Sequence, residues 1–195
     1  MNIFRNGLLA LSFAAAACQP SAPAANPPLE GASIGGPFAL TDQDGRAVTD
    51  RSFAGRYRIM YFGYTFCPDV CPTDAAVIGK ALKQVEADKP DLGGRIVPIF
   101  VTVDPARDTP AALKAFVTNF HPRMVGLTGD PAAIAKVQKE FAIFSDKGET
   151  TAGGGYLMNH STQSYLMAPD GKPLALLPLD QGPQAVATEI EKWAS

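Results

Sequence analysis

A short apolar run that breaks into two closely spaced cysteines constrains this sequence more than any other feature. Ile59 to Tyr64 is apolar and aromatic and reads as a buried strand. It passes into Thr65-Phe66-Cys67-Pro68-Asp69-Val70-Cys71-Pro72. From Thr73 to Ala87 apolar residues recur at helical spacing, at Val77, Ile78, Ala81, Leu82 and Val85. Pro68 sets its own φ and holds Cys67 to extended backbone. Pro72 suits a first helical position, where a missing N–H costs nothing. Cys67 is expected in the loop and Cys71 where the helix begins. The unpaired N–H groups there favour thiolate over thiol. The pair therefore reads as reactive, and a disulfide, a redox pair and a soft-metal site all fit it. A purely stabilising disulfide would gain little from so short a loop.

The remaining chain alternates strand and helix patterns. Residues 37–40 and 47–48 flank the turn signal Asp42-Gln43-Asp44-Gly45 and predict an N-terminal hairpin. An EF-hand starting at Asp42 would need glycine at Ala47 and a carboxylate at Phe53, so a calcium loop is excluded. Pro90 and Gly93-Gly94 are expected to end the first helix. Residues 96–103 are rich in β-branched side chains and predict a second buried strand. A helix from Pro110 to about Phe120 follows, capped by Asp108 or Thr109. Next come a short strand at 124–128 and a helix from Pro131 to about Phe141, capped at Asp130. Residues 148–155 are glycine-rich and read as a loop leading to His160. A hairpin around Pro169-Asp170-Gly171 and an amphipathic helix over 183–193 close the chain. This order predicts an α/β domain of thioredoxin-like arrangement, with a central mixed sheet flanked by helices. The cysteines fall beyond the carboxyl end of a strand, where open α/β sheets place ligands.

The chain has 195 residues, three cysteines and a net charge of −2, with no basic footprint for nucleic acid. The odd cysteine has its own explanation. Arg5 precedes an apolar run from Gly7 to Ala17, too short to span a bilayer comfortably, which ends in Ala15-Ala16-Ala17-Cys18. This resembles a bacterial lipoprotein signal, although Ala15 stands where leucine is usual. An ordinary cleaved signal or an uncleaved anchor also fits. Residues 19–34 are Pro- and Ala-rich linker composition. Residues 1–18 are thus expected to export the chain, with Cys18 as the lipidated residue, and 35–195 to form one folded domain. The expected location is periplasm-facing and membrane-tethered. Cys67 and Cys71 then remain free for chemistry.

Two histidines could join them. His121 sits at a helix terminus, where a role near the helix dipole is sufficient. His160 lies between Asn159 and Ser161, and its pattern fits a surface histidine as well as a ligand. Asp69 could tune the cysteines or simply favour the helix dipole. Asp104 and Asp108 could shape the site from the neighbouring strand end, although capping accounts for one of them. Met158 and Met167 are expected in the core.

Tyr61-Phe62-Gly63-Tyr64-Thr65-Phe66-Cys67-Pro68-Asp69-Val70-Cys71-Pro72 resembles the signature of the Sco/SenC family, thioredoxin-fold copper-binding proteins that mature cytochrome c oxidase. Val103 to Pro110, Phe120 to Arg123 with Leu127-Thr128-Gly129, and His160-Ser161 before Tyr165-Leu166-Met167 extend the match over most of the folded domain. The resemblance implies one copper, as Cu(I) or Cu(II), held by Cys67, Cys71 and His160. It implies delivery to the copper A subunit of the oxidase and exchange with other copper chaperones. Asn159 replaces a common aspartate, which would weaken support for the imidazole. Two thiolates select soft copper and imidazole serves both its oxidation states. A rival reading keeps Cys67 and Cys71 as a reversible redox disulfide, in a thiol–disulfide reductase that reduces the oxidase's copper-site cysteines. Against it stands the Cys-x3-Cys spacing, since thioredoxin-type pairs are Cys-x2-Cys.

Overall fold

Two strands buried along their whole length, β3 (Tyr57–Gly63) and β4 (Ile96–Thr102), form the spine of the molecule. Strands covered on both faces read as continuous apolar runs, which is why both were visible in the sequence. The computed structural model describes residues 26–150 and 153–194. The segment read as an export signal, including Cys18, lies outside the described residues, as do Thr151, Ala152 and Ser195.

The chain enters through the hairpin β1 (Ala39–Asp42) and β2 (Ala47–Thr49). Its turn is an Asx turn, in which Asp42 Oδ1 accepts from the Asp44 and Arg46 N–H groups at 2.9 Å. After β3 comes helix α1 (Val70–Asp88), then the short α2 (Pro90–Gly94) and β4. The series continues with α3 (Pro110–Val117), β5 (Val125–Thr128) and α4 (Pro131–Glu140). A separate hairpin of β6 (Ser145–Thr150) and β7 (Tyr156–His160) follows. β8 (Ser164–Met167), β9 (Pro173–Leu176) and α5 (Pro183–Trp193) complete the described chain.

The main sheet has the order β2-β1-β5-β4-β3-β8-β9. β3, β4 and β5 run parallel, and the outer strands pair antiparallel. Alternation along β3 sends Tyr61 towards α1, where its hydroxyl donates to Asp74 at 2.9 Å. Phe62 turns to the other face and packs on Phe141, just after α4, with ring centroids 5.3 Å apart. The mixed sheet flanked by helices is therefore as the sequence reading has it.

Four local expectations change. Helix α1 begins at Val70, so Pro72 is its third residue and Cys71 its second; the first turn needs no N–H from either. Pro90 ends α1 as expected, but Pro90 to Gly94 coil into a short helix α2 of their own, because proline is comfortable at a first helical position. The glycine-rich stretch is strand as far as Thr150, paired across the hairpin with β7. Finally, packing begins before Gly35: Leu29 donates its N–H to the Leu174 carbonyl at 3.0 Å, and Leu29 and Ile34 lie against the core.

Candidate metal centre

The two cysteines are placed by the scaffold, one in each of two different environments. Cys67 lies in the loop after β3, half-buried, and Cys71 in the first turn of α1, fully buried. The Cys71 N–H points at Cys67 Sγ, 3.4 Å away, so the free end of α1 serves the loop sulfur. The buried sulfur is treated differently. Burial pushes the Cys71 thiol up, against smaller opposing pulls from the Tyr64 backbone and the Tyr61 hydroxyl. The thiolate expected at a helix start is not favoured at Cys71, because burial and the neighbouring Cys67 both favour the neutral thiol. Both cysteines are free thiols.

Gly63 makes room for this sulfur. A Cβ on Gly63 would sit 3.0 Å from Cys71 Sγ, 3.0 Å from the Tyr61 ring and 3.2 Å from the Phe100 ring. The close approach of α1 to the end of β3 thus depends on a missing side chain.

The loop itself is held by Asp108. That fully buried carboxylate accepts from the Thr65 N–H at 3.0 Å, the Thr65 hydroxyl at 2.7 Å and the Thr102 hydroxyl at 2.6 Å. Burial raises its pKa, and the threonine hydrogen bonds oppose the shift. Asp108 is not the cap of α3. Thr109 is, accepting from Ala112 N–H at 3.2 Å. Asp104 also has a structural partner, an ion pair with Arg107.

His160 comes from the other side of the site, at the last position of β7 and not in a loop. Its Nδ1 lies 2.9 Å from the Ser161 carbonyl. A carbonyl only accepts, so Nδ1 carries the proton and Nε2 is left with a free lone pair. Nε2 faces Cys71 Sγ at 3.3 Å. The Tyr64 ring meets the imidazole edge-on, with centroids 5.8 Å apart. Asn159 does not support the imidazole. Its amide donates to Asp146 Oδ1 at 2.8 Å across the hairpin, and the ring N–H has the Ser161 carbonyl instead.

The structure brings the three expected residues together. Cys67 Sγ, Cys71 Sγ and an imidazole nitrogen of His160 all lie within 4.8 Å of one another. Among the described residues no fourth histidine, cysteine or carboxylate joins the group. Two sulfurs and one imidazole are a soft donor set that suits copper, whereas a structural zinc site takes four protein ligands. An open cleft of about 440 Å³, lined by Tyr64, Cys67, Pro68, Leu157, Met158 and His160, gives access from solvent. His121 is remote from this group and is held by Glu86 and Arg123. Met167 is buried in the core, and Met158 packs at its edge. Asp69 is exposed at the start of α1 and makes no side-chain cap bond.

Several site residues had weaker signals in the sequence. Gly63 was visible as the end of an apolar run, but its steric purpose needs the position of Cys71. Arg107 stood in a matched motif without an assignable partner. Its guanidinium lies 3.6 Å from the Tyr156 ring centre and 5.6 Å from that of Tyr64.

Comparisons with known proteins bear on the family and the fold. Residues 26–195 match the family model described as SCO1/SenC. The Arabidopsis thaliana mitochondrial protein SCO1 homolog 1 is 40% identical over 139 residues, covering 71% of this chain and 40% of that protein. The chain spans about half the length or less of such mitochondrial relatives. Bradyrhizobium japonicum ScoI, solved with copper bound, superposes with a TM-score of 0.74 at 42% identity, over 82% of this chain and 99% of that one. Yeast Sco1 with copper bound gives a TM-score of 0.74 at 34% identity, over 82% of this chain and 87% of that one.

Proposed function

The chain belongs to the SCO1/SenC family, and from that premise we propose that it is a copper-binding metallochaperone acting in cytochrome c oxidase assembly. Its cargo goes to the copper A centre of the oxidase. The observation that carries this reading is the convergence of Cys67, Cys71 and His160 at the mouth of an open cleft. The cysteines sit on the rigid end of the sheet and helix, and supply the two soft ligands. His160 supplies a borderline nitrogen that serves both oxidation states. Three protein ligands and an open cleft leave room for a partner's ligand to approach before any of the three lets go.

The copper-bound relatives support the cargo, and the sequence resemblance supports the oxidase as recipient. The small-residue run ending at Cys18 supports a lipid anchor, with the domain exported, periplasm-facing and membrane-tethered. Mass spectrometry of a Cys18→Ser variant, with loss of the lipid mass and release from membranes, tests that part.

The test of the site is anaerobic Cu(I) titration of the reduced protein. One tight equivalent is expected, lost in Cys67→Ser/Cys71→Ser. Absence of tight copper from the reduced wild type would leave the reductase reading in place. One observation favours that second reading: Cys67 opens on the cleft while Cys71 is buried behind it. Cys67 thiolate would attack a partner disulfide and Cys71 would displace the mixed disulfide. The partner would leave with two thiols, and the Cys67–Cys71 disulfide would hold the oxidising equivalents. Stoichiometric release of partner thiols, without metal, measures it.

A further inference from the structure

The hairpin that delivers His160 forms no ladder with the main sheet. Its turn end is held to the body by side chains instead. Tyr156, the first residue of β7, donates its hydroxyl to Asp104 Oδ1 at 2.8 Å. Its carbonyl accepts from Arg107 Nη1 at 2.8 Å. The Arg107 guanidinium stacks on the Tyr156 ring and pairs through Nε with Asp104. The same guanidinium covers Tyr64 and Phe66 of the cysteine loop, 5.6 and 5.0 Å from their ring centres. Arg107 therefore touches the exit of β4, the cysteine loop and the turn end of the histidine hairpin at once.

The strand period transmits this to the site. Tyr156, Met158 and His160 share one face of β7, the half-buried one, while Leu157 and Asn159 are exposed. Fixing the ring and backbone of Tyr156 therefore fixes the face that His160 presents. At the base of the hairpin, Ser161 N–H donates to the Phe144 carbonyl at 2.9 Å, and Phe144 N–H to the Ser161 hydroxyl at 3.0 Å. Those bonds close the base; towards the cysteine loop the hairpin meets Tyr64 and packs Met158 on the core, and its turn end is held by the Arg107 cluster.

We propose that Arg107, with Asp104 and Tyr156, is the positioning device that sets His160 over the two sulfurs and so governs the preference for Cu(II) over Cu(I). This rests on the copper reading above. The sulfurs suffice for soft Cu(I), whereas Cu(II) depends on the imidazole. A lysine at 107 would keep the charge but lose the planar fork that stacks and hydrogen-bonds together.

The experiment compares wild type, Tyr156→Phe, Arg107→Lys and Arg107→Ala as full chains. Amide exchange over 156–161 is read in the metal-free reduced protein. Cu(II) affinity and its sulfur-to-copper charge-transfer band are read beside anaerobic Cu(I) affinity. Faster exchange confined to the hairpin is expected in all three variants. Cu(II) affinity should fall about tenfold, as for loss of an outer partner of a metal ligand, with Cu(I) affinity unchanged. Arg107→Lys should not rescue. Wild-type exchange and Cu(II) affinity in Arg107→Ala would overturn the proposal. So would equal losses of both copper states together with a fall in melting temperature, which would mark a merely structural residue. If His160→Ala leaves Cu(II) binding intact, the copper reading of His160 fails. Hairpin exchange then still decides the clasp: unchanged in Arg107→Ala, it is overturned.

Discussion

The two histidines of this chain occupy opposite fates at opposite ends of one sheet. His121 is 2% exposed, and both its nitrogens are occupied. Nδ1 accepts from the Arg123 N–H at 3.2 Å, and Nε2 faces the Glu86 carboxylate at 3.4 Å. Arg123 pairs with Glu86 and also donates to the carbonyls of Gly93 and Ile96, at the start of β4. That end of the sheet is closed by a saturated polar network. His160 lies beyond the carboxyl ends of β3 and β4, half-buried, with one nitrogen committed to a carbonyl and the other aimed at sulfur. A histidine with no spare lone pair joins helix to strand. A histidine with one spare lone pair, facing two thiols beside a cleft, is equipped to bind something.

The sharpest way to break this contrast is to remove each imidazole in turn. His160→Ala should lower Cu(II) affinity by more than about a hundredfold, beyond the loss typical of an outer partner, with an unchanged denaturation midpoint. A metal titration showing wild-type Cu(II) affinity would erase the functional half of the comparison. His121→Ala should do the reverse. It leaves the Arg123 N–H and part of Glu86 without a buried partner, at a cost of about 1–3 kcal/mol in unfolding free energy. Urea denaturation checks that figure, and copper stoichiometry should not move.

Asp108→Ala sharpens the contrast from the metal end. It strips the acceptor from Thr65 and Thr102, again at about 1–3 kcal/mol by urea denaturation. Because Thr65 begins the cysteine loop, exchange of the 65–67 amides should also quicken. Loss of stability with a still-protected loop would show that Asp108 serves the core alone.

The smallest expected effect is a pH dependence at the closed end. Burial lowers the His121 pKa, with Glu86 opposing and Arg123 and Lys83 assisting. The folded protein therefore resists a proton that the unfolded chain takes up below about pH 6.5. Stability should be fully present above that pH and decline as pH falls through 6.5 towards the folded value. Urea midpoints at pH 7.5 and 5.5 should show a smaller acid-side loss in His121→Asn than in wild type. Equal losses in both proteins would place the acid sensitivity elsewhere.

Much of the fold was legible because its signals are local. β3 and β4 announce themselves as unbroken apolar runs, since both faces are covered. Asp130 and Thr109 cap α4 and α3 from within three residues of the N–H groups they serve. The two cysteines sit four residues apart across a strand-to-helix turn, so their meeting needed only that turn. The family resemblance supplied His160 as their companion, where periodicity alone did not separate it from a surface histidine.

What tertiary structure alone decided is everything that joins residues far apart in the chain. Tertiary packing brings the ends of β3 and β4 and the separate β6–β7 hairpin together, and so places His160 Nε2 3.3 Å from a sulfur 89 residues earlier. It decided between the cap and the site-shaping role that the sequence left open for Asp108, making it the anchor of Thr65, 43 residues away. It buried Cys71 and set it beside Cys67, which raises the thiol pKa where its position at a helix start in sequence suggests a thiolate. Spacing along the chain encodes backbone geometry over a few residues. Burial, desolvation and the direction of a lone pair are set by packing neighbours, and these become known only when the chain has closed on itself.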